Sequence, residues 1–295
     1  MKKTISMMTN QSKTIRVIAA VAFLALCSSP VQAQILFKDN FEGVAIGSAP
    51  NNGAQPGDWV NKITPGNDVV MVTNIAPPEG SQDLRIFQEF SAGGISASLA
   101  SPVTSQEMKL ALYAQTPSSV NINVANAGFT SFGFTKNTTD FSSMVDAVFS
   151  SNNVLEIEYH NNGSSQHRFF WRSGTSTIAD TGLSWTVGQW DRAELTLLPG
   201  LGASGGDAFV LSISNLVSGI VQTTGRITFD GPTVSSSVYQ LNGNTYPTIT
   251  RAAFGSYATS QNYFLDDIFI ALPEPASALL FGLGGWLLLL AQRKR

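Results

Sequence analysis

The sequence predicts an all-β protein, a sandwich or barrel of antiparallel strands. Three observations point there. Between Gln34 and Leu272, apolar and polar residues alternate at period two. No long stretch in that span shows the 3.6-residue period of a helix. Clusters of Gly, Asn, Asp, Ser and Pro interrupt the alternating runs at short intervals. In chain order, Ile35–Phe37 opens the domain as a short apolar strand. Leu155, Ile157 and Tyr159 share one face of a strand whose other face carries Glu156, Glu158 and His160. Val154–His160 and Gln166–Arg172 flank a short loop containing Asn161-Asn162-Gly163, which predicts a hairpin. Ala193, Leu195 and Leu197 alternate with Arg192, Glu194 and Thr196, and Phe209, Leu211 and Ile213 alternate with Val210, Ser212 and Ser214. Tyr263–Ile270 is the closing strand. Turns fall at Ser173-Gly174, Pro199-Gly200, Gly205-Gly206-Asp207, Asp230-Gly231-Pro232 and Asn242-Gly243-Asn244. There is no internal repeat and no linker before Pro273, so residues 34–272 are expected to form one domain.

The two ends differ from this body. Lys2, Lys3, Lys13 and Arg16 precede the apolar stretch Val17–Leu26, and Val31-Gln32-Ala33 supplies small residues where a signal peptidase cuts. Residues 1–33 therefore read as a secretory signal peptide with a short helix, and the mature chain as starting at Gln34. Cys27 opens a lipoprotein alternative, which the bulky Leu26 before it disfavours. At the other end, Pro273-Glu274-Pro275 precedes an apolar run, Ala276–Ala291, and then Arg293-Lys294-Arg295. As a helix this run would reach roughly 24 Å against a hydrocarbon core of ~30 Å, a marginal transmembrane span with its basic end in the cytoplasm. The alternative is a buried terminal helix.

Without these ends the charge balance changes. The chain has 17 basic and 20 acidic residues and a net charge of −3. Seven of the basic residues and one acid, Glu274, lie in the leader and tail, which leaves ten against nineteen, or −9, for the body. Such a body repels nucleic acid, so that partner class is excluded. The one cysteine, Cys27, sits in the leader, so the mature body has neither disulfides nor thiolate metal sites.

The tail resembles the PEP-CTERM sorting signal of Gram-negative bacteria, in the tripeptide Pro273-Glu274-Pro275, the span 276–291 and the cluster Arg293, Lys294, Arg295. The resemblance implies a transient inner-membrane anchor, processing by an exosortase-type protease, and delivery to the cell surface or an exopolysaccharide matrix. The body is similar to jelly-roll carbohydrate-binding and concanavalin A-like lectin domains. An early Asp39-Asn40-Phe41-Glu42-Gly43 and a late Tyr263-Phe264-Leu265-Asp266-Asp267-Ile268 bracket it. That likeness implies a structural calcium ion held by Glu42 with Asp266 or Asp267. From the residues alone, strict alternation would aim one of these two aspartates at an apolar layer. Calcium, backbone N–H donors or a bulge would each relieve that cost.

Glu156-Ile157-Glu158-Tyr159 resembles part of the catalytic strand of laminarinase-type glycosidases, which carries three carboxylates on one face. Here Val154 stands at the nucleophile position, so catalysis is not expected. His160 and His167 flank the hairpin loop and would face each other, but no third metal ligand accompanies them. Tryptophan suits a sugar face. Trp171 and Trp190 read as core residues, and Trp59 and Trp185, in loop-like contexts, as candidates for an exposed stacking platform. The expectation is a secreted, non-catalytic β-sandwich that binds carbohydrate of the extracellular matrix. A structural or adhesive surface protein is the alternative, and a polysaccharide-modifying enzyme the third reading.

Overall fold

A computed structural model of the chain describes residues 33–50, 58–60, 69–75, 77–88, 92–103, 106–116, 129–135, 153–161, 167–173, 178–200, 207–229, 249–257 and 261–273. Every regular element among them is a strand: β1 (Gln34–Asp39), β2 (Asp58–Val60), β3 (Val69–Thr73), β4 (Asp83–Gln88), β5 (Ala92–Val103), β6 (Met108–Gln115), β7 (Phe129–Thr135), β8 (Asn153–Asn161), β9 (His167–Arg172), β10 (Ala179–Ser184), β11 (Trp190–Leu198), β12 (Ala208–Asn215), β13 (Val221–Thr223), β14 (Ile227–Thr228), β15 (Ile249–Tyr257) and β16 (Gln261–Leu272). No helix among the described residues is long and apolar enough to cross a membrane. Residues 1–32 of the leader, Glu274, Pro275, the apolar run and Arg293–Arg295 lie outside the described residues. Ile35–Leu272 forms one compact unit.

The strands make a two-sheet antiparallel β-sandwich of jelly-roll type. A nine-stranded sheet runs β13-β12-β11-β6-β16-β4-β3, with β1 also against β16 and β14 against β12; a seven-stranded sheet runs β10-β9-β8-β7-β15-β5-β2. Successive strands β4 to β7 alternate between the sheets. The last two strands then enter the middle of each: β15 lies between β5 and β7, and β16 between β4 and β6. The centre of both sheets is thus built from opposite ends of the domain.

The period-two pattern explains the core. Leu155, Ile157 and Tyr159 of β8, Phe132 and Phe134 of β7, and Ile95 and Ala97 of β5 face Leu110, Leu112, Leu195, Leu211 and Ile213 of the other sheet in one apolar cluster. The expected hairpin is present, with β8 and β9 antiparallel and Asn161 opposite His167. At one side the sandwich is closed by a side chain: Gln222 of β13 donates to the Ser184 carbonyl at 2.9 Å, and accepts from its backbone N–H at 3.1 Å.

The closing strand departs from strict alternation. The register with β6 shifts between Asp266 and Phe269, and Asp267 has φ 40°. This bulge inserts one residue, so Leu265, Ile268 and Ile270 all reach the core. Of the alternatives left open by the sequence, the bulge is present together with backbone N–H donors to Asp266.

Candidate functional site: the polar face of the seven-stranded sheet

Because one face of β5, β7, β8, β9 and β15 supplies core residues, the intervening residues point away from the core. Register lines up Gly94, Gly255, Ser131, Glu158, Phe170 and Asp180 across six strands. The next row is Ser96, Ala253, Gly133, Glu156 and Arg172. On β5, β15 and β7 these side chains are small, so the middle of the face is a low floor, and its residues Gly94, Ser96, Ser131, Gly133 and Gly255 are buried. Gly133 shows how tight the sheet is there: an added Cβ would lie 2.1 Å from the Leu155 carbonyl oxygen. On β8 and β9 the side chains are long and charged, and form a wall beside that floor.

The wall is a connected network. Arg172 Nε donates to Glu158 Oε1, His160 Nε2 is bonded to Glu158 Oε2, and Arg172 Nε lies 3.9 Å from Glu156 Oε2. Glu158 is fully buried, and Glu156, His160 and Arg172 nearly so. Burial alone would favour the neutral form of Arg172, but the Glu158 hydrogen bond and the charges of Glu158 and Glu156 outweigh it and raise its pKa. The Phe170 ring packs against the His160 ring, with centroids 5.0 Å apart. Towards the sheet edge the network gives way to a half-exposed pair, Arg168 Nε to Asp180 Oδ2 at 3.2 Å. Both oxygens of Glu158 are engaged by cationic or ring nitrogens, and Val154, at the position of a glycosidase nucleophile, is a core residue. The arrangement suits fixed hydrogen bonding better than proton transfer.

Several expectations need correction. Trp59 and Trp185 are not exposed platforms, being 6% and 4% accessible. Trp59 packs edge-on to Phe37 at 4.9 Å, stacks on Phe41 at 5.9 Å, and donates Nε1–H to Asp39 Oδ2 at 2.5 Å. Trp185 donates Nε1–H to the carbonyls of His160 and Arg168, each at 3.2 Å, and its ring meets Tyr159 at 5.5 Å. In both cases the indole seals the core while its N–H finds a buried acceptor. Trp59→Phe is expected to cost about 1–3 kcal/mol by leaving the buried Asp39 oxygen short of a donor, read as a lower denaturation midpoint, with ligand binding unchanged. Trp190 begins β11 as expected but joins a separate cluster with Tyr113 and Phe264 on the far side of the nine-stranded sheet. His160 and His167 do not face each other: His160 pairs with Arg168 on the polar face, whereas His167 packs on Trp185 at 4.5 Å.

Each of the three predicted calcium ligands has a partner within the protein. Glu42 accepts from Ser81 N at 2.5 Å, Gln82 N at 2.8 Å and Ser81 Oγ at 2.7 Å, which holds its pKa below the usual range. Gly80, at φ 59°, lies directly against this carboxylate. Asp266 accepts from Glu79 N at 3.2 Å and Asp267 N at 2.7 Å. The bulge turns Asp267 to Arg192, 3.7 Å away. Among the described residues no three His, Cys, Asp or Glu side chains are grouped as a metal site. Glu42 and Asp266 thus both accept from the backbone of the Glu79–Gln82 segment, whereas Asp267 is paired with Arg192 and turned away from them.

Arg172, Arg168, Asp180 and Ser131 escaped the sequence reading. Only the β8–β9 register could have signalled Arg172, by setting it opposite Glu156.

No protein-family model matches the chain, and no curated protein matches it. Similar solved structures include the VIP36 exoplasmic/lumenal domain in its Ca2+/Man2-bound form, at 12% identity and TM-score 0.48, covering 82% of this chain and 88% of that one. A marine PL-14 alginate lyase from Aplysia kurodai matches at 10% identity and TM-score 0.47, over 77% and 98%. A seed lectin from Lotus tetragonolobus matches at 10% and 0.43, over 74% and 100%. Likeness this distant says nothing about activity.

Proposed function

We propose that this is an exported, non-catalytic carbohydrate-binding protein of the cell envelope or extracellular matrix, holding its ligand on the polar face of the seven-stranded sheet. The observation behind this reading is the small-residue floor of Gly94, Gly255, Ser131 and Gly133 beside the fixed wall of Glu156, Glu158, His160 and Arg172. Small residues put no bulky side chain between the sheet and a ligand, and side chains already locked by one another pay little ordering entropy on binding; because floor and wall are buried in the unliganded chain, binding requires this face to be uncovered. Catalysis has no place in the proposal because Glu158 has neither oxygen at liberty. The leader and the Pro273–Arg295 tail support export and membrane-linked sorting, with an exosortase-type protease and the envelope membrane as partners.

The test is binding of residues 34–272 to a glycan array and to the source organism's exopolysaccharide, with Glu158→Gln alongside. Saturable binding weakened at least tenfold in the variant is expected. It should persist in chelator, since Glu42 and Asp266 are compensated by N–H donors. A folded domain that binds neither material would favour the structural or adhesive reading.

A further inference from the structure

The β12–β13 hairpin carries a feature that the polar face does not use. Its turn exposes four aliphatic side chains: Leu216 (43%), Val217 (72%), Ile220 (58%) and Val221 (63%). No charged residue occurs between Asp207 and Arg226, in a domain whose net charge is −9. The turn is also held rigidly. Asn215 Oδ1 accepts from Val217 N at 3.1 Å, Ser218 N at 2.9 Å and Ser218 Oγ at 3.0 Å. Asn215 N donates to Ile220 O at 3.0 Å, Gly219 N to Asn215 O at 2.9 Å, and Leu216 N to Trp190 O at 3.0 Å. Gly219, at φ 70°, takes the left-handed position the turn requires. The aliphatic side chains are therefore displayed by a built scaffold.

We propose that this hairpin is a membrane-contacting tip that seats its four aliphatic side chains in the interfacial region of a zwitterionic bilayer. A second copy of the chain is the weaker occupant. Four side chains at a turn offer a few hundred Å² at most, well under the ~800 Å² per partner of a stable protein interface. A bilayer needs no shape-matched partner face and accepts a narrow apolar tip, with an affinity that grows with the apolar area inserted. The absence of charge on the tip means that no ionic group is desolvated on entry. The acidic domain is repelled by anionic lipid, which selects a zwitterionic surface. This contact depends on neither the glycan site nor the C-terminal tail.

The test uses the full chain with its single native cysteine removed, Cys27→Ser. An environment-sensitive nitrobenzoxadiazole dye is attached at Val217→Cys, or at Ala100→Cys, an exposed position on β5 of the other sheet. With phosphatidylcholine vesicles, emission at position 217 should shift to the blue and brighten about threefold or more. Emission at position 100 should stay unchanged, and Ile220→Ser should abolish most of the response at 217. Binding through the tail alone would leave position 217 in water, without a shift, and would overturn the proposal. A shift at 217 that needs no lipid and grows with protein concentration would overturn it in favour of self-association.

Discussion

Stability is expected to rise as the pH falls from 8 to about 5, the reverse of the usual acid response, and Asp191→Asn should flatten much of that slope. Asp191 lies on the inward row of β11, opposite Asn215 and Ala114, and is 2% accessible. Asn215 Nδ2 donates to it at 2.9 Å. Burial raises its pKa to about 7, only partly offset by that hydrogen bond. Tyr159 and Tyr263 face the same interior, and burial pushes both phenols well above 10, so they stay neutral. In the unfolded chain an aspartate titrates near ~3.9. Between these values the folded state holds a proton that the unfolded state lacks. The contribution is therefore fully present below ~4 and is lost as pH rises through 7, at up to ~1.4 kcal/mol per pH unit and about 4 kcal/mol across the window.

Asp266 acts in the same direction. Burial, with the charges of Asp267 and Asp83, raises it to about 7 against the backbone N–H bonds from Asp267 and Glu79. Three groups oppose the trend: burial lowers the pKa of His167, which loses stabilisation as pH falls through the ordinary histidine range, and two carboxylates act at lower pH. Glu42 is held low by Ser81 and Gln82, and Glu194 by Lys109 and Arg192 despite burial; both lose stabilisation as pH falls through the ordinary carboxylate range. The optimum should lie between about 4.5 and 6. Asn mimics the protonated acid, so Asp191→Asn should match wild type only near pH 4 and exceed it by a margin that grows as the pH rises to 8. Thermal midpoints equal at pH 5 and 8 in the wild type would contradict the buried-acid account.

Arg172→Ala should be the most damaging single change on the polar face. It leaves Glu158 and Glu156 buried without their guanidinium, a loss of about 3–5 kcal/mol in comparable buried pairs. For a domain of this size that is roughly a 6–15 °C fall in Tm. The ion pair itself need not be worth that much, because desolvation of both charges offsets their attraction. Accordingly the double variant Glu158→Gln/Arg172→Gln should lose clearly less than Arg172→Ala. Denaturant unfolding of the single and double variants measures this. A single-variant loss under about 1 kcal/mol would mean that the pair behaves as a solvated surface bridge. Glycan binding should fall in both variants, since each dismantles the wall beside the floor.

Local pattern determined the fold class. Alternation in Val154–Tyr159, Arg192–Leu197 and Phe209–Ile213 depends only on the period-two geometry of a strand, and the short loop after His160 only on chain connectivity. Both the all-β class and the β8–β9 hairpin follow from such short-range constraints. What lies far apart in sequence was decided by the tertiary structure. Trp59 lies in a short strand flanked by turn-forming residues, but its indole is buried by Phe37, Phe41 and Phe254, the last from a strand about two hundred residues later. Asp266 and Asp267 looked equivalent until pairing with β6 placed a bulge between Leu265 and Ile268 and sent their carboxylates to different partners. The partnership of Arg172 with Glu158 needed the hairpin register, and the floor beside it needed β15 to enter between β5 and β7. Periodicity tells a residue which face it occupies; only long-range pairing tells it what it will touch there.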